Sequence, residues 1–226
     1  MIGTKILFLE DDTLYQETIK EFLEEEEFIV DTCTDGEEFL NKIFENVYDL
    51  YILDINVPKI DGMKILKILK EYNDNTMKLV LTSTQNSLTN SFKIGCDDFL
   101  NKRCDIEELL LRIKMLIRRA YKAHKEYILL GNNIKYDLFN KKIYKNEHSI
   151  KLEIRSLLIL DYLIKRRGEY VSNNELENKT YSTNTNSKSD VIRYHIWHLR
   201  KILGKNLIES KKSFGYRLKL EKNNIF

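Results

Sequence analysis

Four strand-length apolar segments in the first half of this chain end in residues suited to phosphoryl chemistry. KILFL (5–9) is followed by Glu10, Asp11 and Asp12. LYILDI (50–55) carries Asp54, KLVLT (78–82) ends in Thr82 with Ser83 next, and DFLNK (98–102) ends in Lys102. Carboxylates gathered at one edge repel each other and require a cation; hard oxygen donors with open water positions suit Mg2+. One carboxylate of such a set can act as a nucleophile toward a phosphoryl group. The metal and a lysine then offset charge on the phosphoryl oxygens during in-line transfer. A hydroxyl at the end of the fourth strand can hydrogen-bond the group once it is in place. Each residue alone is weak evidence. An acid after a strand often only caps the next helix, and Asp11 or Asp12 would serve there. Their occurrence at four strand ends, in order, points to one pocket that can hold a cation and offer one carboxylate as a nucleophile.

The elements that must bring these ends together follow from periodicity. Between the apolar runs lie helical patterns over 13–25, 36–46, 62–72 and 87–94, with FIVDTC (28–33) as a further strand. Asp105 and Glu108 make a capping-box pair opening a fifth helix that runs to about 121. Strand and helix in strict alternation predict an α/β, doubly wound (flavodoxin-like) parallel sheet of five strands. Ligand sites of such sheets lie beyond the carboxyl ends of the strands, where the strand order reverses.

The second half changes character. Strand candidates YILL, IKYD, KKIY and SIKL occupy residues 127–152, with a turn at Gly131-Asn132-Asn133. Helical patterns follow at 154–167, 173–179 and 188–203, with Ser172/Glu175 and Ser187/Asp190 as caps, and the chain closes on a hairpin, LIES and FGYRLKL, tipped by Lys211-Lys212-Ser213. This is an α+β winged-helix pattern. The charge shifts with it, from −9 over residues 1–120 to +11 over 121–226, inside a chain of net charge +2. A basic half paired with an acidic one marks the second domain as the nucleic-acid candidate. The spans are 1–122 and 126–226, with a linker near Ala120–Lys125.

The segment KSDVIRYHIWHLRKIL puts Ile192, Ile196, Leu199 and Leu203 on one helical face. Arg193, Tyr194, Trp197, His198, Arg200 and Lys201 lie largely off it. An apolar rear with a basic, aromatic front suits the DNA major groove. Lys211 and Lys212 at the hairpin tip reach phosphates or the minor groove. His195 lies between the faces and reads as a packing residue. Composition excludes other classes. No apolar run approaches the roughly 18 residues a membrane span needs, and the N-terminus lacks a signal peptide's apolar stretch, so a cytoplasmic protein without a membrane partner is expected. Cys33, Cys96 and Cys104 fit no CxxC spacing and read as reduced, structural thiols.

At this point a family resemblance is plain. Glu10-Asp11, Asp54, Thr82 and Lys102 resemble the acidic pair, phosphoacceptor, switch hydroxyl and lysine of response-regulator receiver domains. LDINVPKIDG (53–62), with Pro58 and Gly62, and GCDDFLNK (95–102), with Phe99 where a switch aromatic sits, strengthen the match over residues 4–121. LEIRSLLILDYL, VSNNEL, HIWHLRKIL and SKKSFGYRL are similar, in order, to the winged-helix effector domain of the OmpR/PhoB type, over about 127–220. The resemblance implies a two-component transcriptional regulator, not an enzyme, phosphorylated on Asp54 by a sensor histidine kinase with Mg2+ held by Glu10, Asp11 and Asp54. It implies a recognition helix at 188–203 on double-stranded DNA and RNA polymerase as a further partner. It also implies a homodimer through the face of helix four, strand five and helix five, where Asp97, Asp98, Glu108, Arg112 and Arg119 match the charged positions.

The chain departs from the family's pattern in several places. Lys102 is followed by Arg103, not proline, so the loop is expected to be trans, a cis bond there costing about 2.5–4 kcal/mol. The segment between Thr82 and Gly95 is short. The first effector helix has Glu153 and Ser156 where a capping box is usual, Ser213 replaces a wing glycine, and Trp197 and His198 stand where arginines are common. Three other readings remain open: a regulator binding DNA without phosphate, an aspartate-nucleophile phosphotransferase, and a thiol-gated regulator.

Overall fold

The computed structural model describes residues 3–83, 94–123, 125–131, 133–180 and 189–219. The chain divides into two compact units, Gly3–Ala120 and the part from Tyr121 onward.

The first unit runs β1 (Lys5–Leu9), α1 (Thr13–Glu25), β2 (Ile29–Cys33), α2 (Gly36–Glu45), β3 (Leu50–Leu53), α3 (Gly62–Glu71), β4 (Met77–Thr82), β5 (Asp98–Asn101) and α4 (Ile106–Ala120). The strands form one parallel sheet in the order β2-β1-β3-β4-β5, the flavodoxin-like topology expected. Ile6 to Leu9 and Leu50 to Leu53 are almost wholly buried, because a parallel sheet covered by helices on both faces needs apolar side chains on both. Leu9 pairs with Leu53 and Leu53 with Val80, so the residues after these strands share one edge. That edge lies between β1 and β3, where the order reverses.

Aspartates start the helices. Asp12 accepts hydrogen bonds from Leu14 N and Tyr15 N, both at 3.1 Å, and Asp35 and Asp61 cap α2 and α3 in the same way. The capping box at α4 is only half made. Asp105 accepts from Glu107 N at 3.3 Å, but the Glu108 carboxylate goes forward to Arg112 at 3.2 Å, an ion pair one turn on outcompeting the return bond. The helix expected over 87–94 falls outside the described residues.

The second unit opens with an antiparallel meander: β6 (Tyr127–Gly131), β7 (Ile134–Asp137), β8 (Ile143–Lys145) and β9 (His148–Ile150). Helices α5 (Ile154–Lys165), α6 (Asn173–Thr180) and α7 (Ser189–Leu203) follow, then the hairpin β10 (Ile208–Lys211) and β11 (Gly215–Leu218). Val171 bridges Tyr216, tying the hairpin back to the start of α6. This is the winged helix the sequence led us to expect. Its core joins Leu157, Leu160 and Ile164 of α5 to Ile192, Ile196 and Leu199 of α7.

One buried polar knot sits in that core. The hydroxyls of Tyr121 and Tyr136 both donate to Asp161 Oδ1 at 2.5 Å, and Lys165 and Lys141 lie 3.4 and 3.7 Å from Oδ2. Ser172 caps α6 through Glu175 N at 3.2 Å. The Glu175 carboxylate instead takes Arg166 at 2.6 Å and Tyr162 at 2.7 Å, so this box is also half made. Helix α5 begins at Glu153 without a side-chain cap. Ser187 and the Asp190 side chain lie outside what is described. No helix among the described residues is long and apolar enough to cross a membrane.

Candidate functional site

The edge between β1 and β3 collects the acids. Oxygens of Glu10, Asp11 and Asp54 lie within 4.8 Å of one another. Asp54 is 3% exposed and Glu10 0%, whereas Asp11 is open to solvent. Asp54 Oδ1 accepts the backbone amides of Ile55 at 2.6 Å and Asn56 at 3.3 Å. Lys102 Nζ lies 2.6 Å from Asp54 Oδ2 and 2.6 Å from Glu10 Oε1. One ammonium thus bridges two buried carboxylates while a third sits at the rim.

The electrostatics leave this pocket short of positive charge. Burial raises the pKa of Glu10, outweighing the hydrogen bond and charge of Lys102. Burial works against the Lys102 ammonium, yet its bonds to Asp54 and Glu10 hold its pKa above the ordinary lysine value. Glu10 Oε2 is buried without a hydrogen-bond partner, a costly state for a carboxylate oxygen unless something binds it. Three hard oxygen donors, one of them orphaned, with one side open to water, fit a divalent cation of the Mg2+ type.

Lys102 reaches the pocket without help from proline. Its peptide bond to Arg103 is trans, as expected. Asn101 does the turning: its side chain accepts from Arg103 N at 2.9 Å, its carbonyl accepts from Cys104 N at 2.9 Å, and Lys102 N donates to Thr82 O at 3.1 Å. Thr82 is fully buried and pairs in register with Asn101. Phe99 is half-buried, packed against the apolar cluster beneath the sheet. Two contributors escaped the reading of the sequence. Asn101 carries no signal in its type or spacing. Tyr15 places its ring 5.2 Å from Lys102 Nζ; its one signal was a position in the first turn after the Asp12 cap.

The charged positions on the other side of β5 pair with one another. Arg112 lies 3.3 Å from Asp98 and 3.2 Å from Glu108. Arg119 donates to the Asp97 carbonyl at 3.2 Å, and the Asp97 carboxylate accepts from Lys78 N at 2.8 Å. The three cysteines are free. Burial pushes the thiols of Cys33 and Cys104 up and that of Cys96 up to about 12, the opposite of the shift a redox-sensing thiolate needs.

In the second unit, Arg193, Tyr194, Trp197 and Lys201 are exposed on α7, and His198 is half-buried. Arg200 behaves differently from the expectation that it faces DNA. Its Nε and Nη2 donate to the Ile208 carbonyl at 3.0 and 2.9 Å, so it braces the wing against α7. Lys211 and Lys212 stand exposed at the wing tip. With Arg193 they border a groove of about 570 Å3 between α7, the wing and the start of α6. Gly215 allows the wing to close there: its φ is +103°, and a Cβ would lie 2.0 Å from the Val171 carbonyl. His195 is buried, its Nδ1 3.0 Å from Ser156 Oγ, which confirms it as a packing residue. Among the described residues, the metal-capable cluster is the one around Asp54.

Comparison with known proteins agrees with both halves. The response regulator receiver domain family matches residues 6–114, and the family described as transcriptional regulatory protein, C terminal, matches residues 146–218. The transcriptional regulatory protein CrdR of Helicobacter pylori is 32% identical over 216 residues, covering 94% of this chain and 97% of that protein. DltR of Streptococcus agalactiae is 30% identical over 220 residues, covering 95% and 98%. The receiver domain of the Francisella response regulator 1452 superposes with a TM-score of 0.50 at 34% identity, covering 52% of this chain and 98% of that one. With an acidic pocket on a receiver fold, a basic winged helix following it in the chain and relatives matched over nearly their whole length, the chain belongs to the OmpR/PhoB-type two-component response regulators, which are DNA-binding regulators of transcription.

Proposed function

We propose that this regulator, in the cytoplasm, receives a phosphoryl group on Asp54 from a sensor histidine kinase and thereby controls transcription through its winged helix. The observation that carries the reading is the bridge from Lys102 to the buried Asp54 and Glu10, both at 2.6 Å, beside Asp11. Asp54 supplies the attacking oxygen. The P–N bond of the kinase phosphohistidine breaks as the P–O bond to Asp54 forms, and the imidazole leaves with the electron pair. Glu10, Asp11 and Asp54 would hold Mg2+, which would supply positive charge to offset that of the phosphoryl group. Lys102 shifts from the Asp54 carboxylate to a phosphoryl oxygen, and Thr82 hydrogen-bonds another.

Thr82 and Phe99 then reorient and bias the face carrying Asp97, Asp98, Glu108, Arg112 and Arg119. These charges re-pair across a two-fold axis, forming a homodimer. Two effector domains then meet adjacent half-sites, about one helical turn apart, and linkage raises affinity through effective concentration. Residues 1–122 form the receiver and 126–226 the effector. Arg193, Tyr194, Trp197, His198, Lys201, Lys211 and Lys212 face DNA, Arg200 supports them, and RNA polymerase is a further partner. The test is acetyl-phosphate labelling with Mg2+ followed by operator binding. Wild type labels and tightens on DNA; Asp54→Asn does neither. Equal operator affinity for Asp54→Ala and verifiably phosphorylated wild type would sink the switch, and absence of labelling would favour a phosphate-independent regulator.

A further inference from the structure

Away from the acidic pocket, the outer face of α7 carries a feature that charge does not explain. Tyr194, Trp197 and His198 follow the i, i+3, i+4 spacing of one helical stripe. The Tyr194 ring stacks on His198 at 6.3 Å and 17°, and lies 6.4 Å from Trp197 at 32°. Underneath, it meets the buried His195 edge-on at 5.2 Å. Trp197 remains 58% exposed and Tyr194 49%. The rings form one slab held from below.

Cations flank this slab, and one leans onto its edge. Lys201 Nζ sits 5.5 Å over the Trp197 ring, and Arg193 precedes Tyr194 at the other end. Arg200, whose fork could have matched the two acceptors of guanine, is spent on the Ile208 carbonyl. The centre of the face therefore offers π-surface with one polar hydrogen at the edge of each ring, and no bidentate fork. The major-groove feature that complements such a surface is the C5-methyl group of thymine. Stacked rings with two side-chain torsions each also lose little freedom on contact.

Taking α7 as the DNA-reading element, as proposed above, we propose that Tyr194, Trp197 and His198 select operators through thymine methyl groups. The half-site then carries thymines under the centre of α7, with Arg193 and Lys201 on flanking phosphates.

Replacing thymine by deoxyuracil removes the methyl and leaves every hydrogen-bonding edge intact. Operators would be selected from random duplexes with the full-length protein, then rebuilt with uracil at each conserved thymine. Each contacted methyl is expected to be worth about fourfold in affinity. In Trp197→Ala, whose side chain is exposed and outside the core, that penalty should largely vanish at the thymine it touches. Trp197 is the chain's only tryptophan, so its fluorescence separately reports whether α7 meets DNA. Unchanged fluorescence on saturation would overturn α7 as the reading element, and this inference with it. Changed fluorescence with uracil operators bound as tightly as thymine ones would overturn the methyl readout alone. So would an undiminished uracil penalty in Trp197→Ala, or tighter binding of single strands.

Discussion

Tyr15 is the residue whose importance is hardest to see from its type. In the phosphoryl transfer proposed above, the lysine that bridges two carboxylates must turn toward the incoming group, and a ring face 5.2 Å away offers it a second, softer anchor. Such a contact is worth about 0.5–1 kcal/mol at a partly exposed site. Tyr15→Leu is therefore expected to slow acetyl-phosphate labelling of Asp54 about two- to fivefold, while Tyr15→Phe, which keeps the ring, labels like wild type. Phe as slow as Leu would assign the effect to the hydroxyl instead. His195 is the matching case in the second unit. Burial lowers its pKa, opposed by Glu153 and reinforced by Arg155 and His198. The folded value lies below the unfolded one, so the unfolded chain takes up the proton first as pH falls. Stability is full above about pH 6.5 and is lost as pH drops through the window below it. Denaturant unfolding followed by Trp197 fluorescence at about pH 7.5 and 5.5 should show this loss in wild type. His195→Gln should flatten it.

Among the elements, α3 shows how closely the site depends on backbone packing. Its first residue, Gly62, lies against the acceptor strand: a Cβ there would be 2.3 Å from the Asp54 carbonyl oxygen and 2.9 Å from Ile55 Cα. Gly62→Ala should cost about 1–3 kcal/mol by overpacking, measured by denaturant unfolding, and should slow Asp54 labelling as the acceptor strand shifts. Loss of neither would mean that α3 can move away freely. The strands were legible because both faces of β1 and β3 are covered, which writes burial into the sequence as unbroken apolar runs. Features set by distant partners were not legible. The strand expected at 141–144 begins later, at Ile143, with Lys141 at φ +48° and near Asp161. Glu108 and Glu175 had the spacing of capping-box acids, but each found an arginine that spacing does not reveal.

At the scale of the whole molecule, charge is divided so that one unit attracts nucleic acid and the other does not. The −9 of residues 1–120 and the +11 of residues 121–226 make the second unit the one that releases counterions on binding DNA. Lys212→Ala should weaken binding to all sequences alike and reduce the slope of log affinity against log salt by about one. A changed base preference at constant slope would instead place Lys212 on a base edge. The site itself was legible as a set of strand ends, since a parallel sheet delivers all of them to one side. The role of Arg200 was not, because its partner is a main-chain carbonyl on a strand beyond α7. That bond has a consequence for how such a protein can change over generations. The wing's attachment depends on Arg200, and the interior depends on Ile196 and Leu199. Neither depends on the exposed side chains at 194 and 197. If α7 reads DNA as proposed, lineages, or an engineer, can exchange those side chains and retarget the regulator to new promoters while the scaffold that presents them stays as it was.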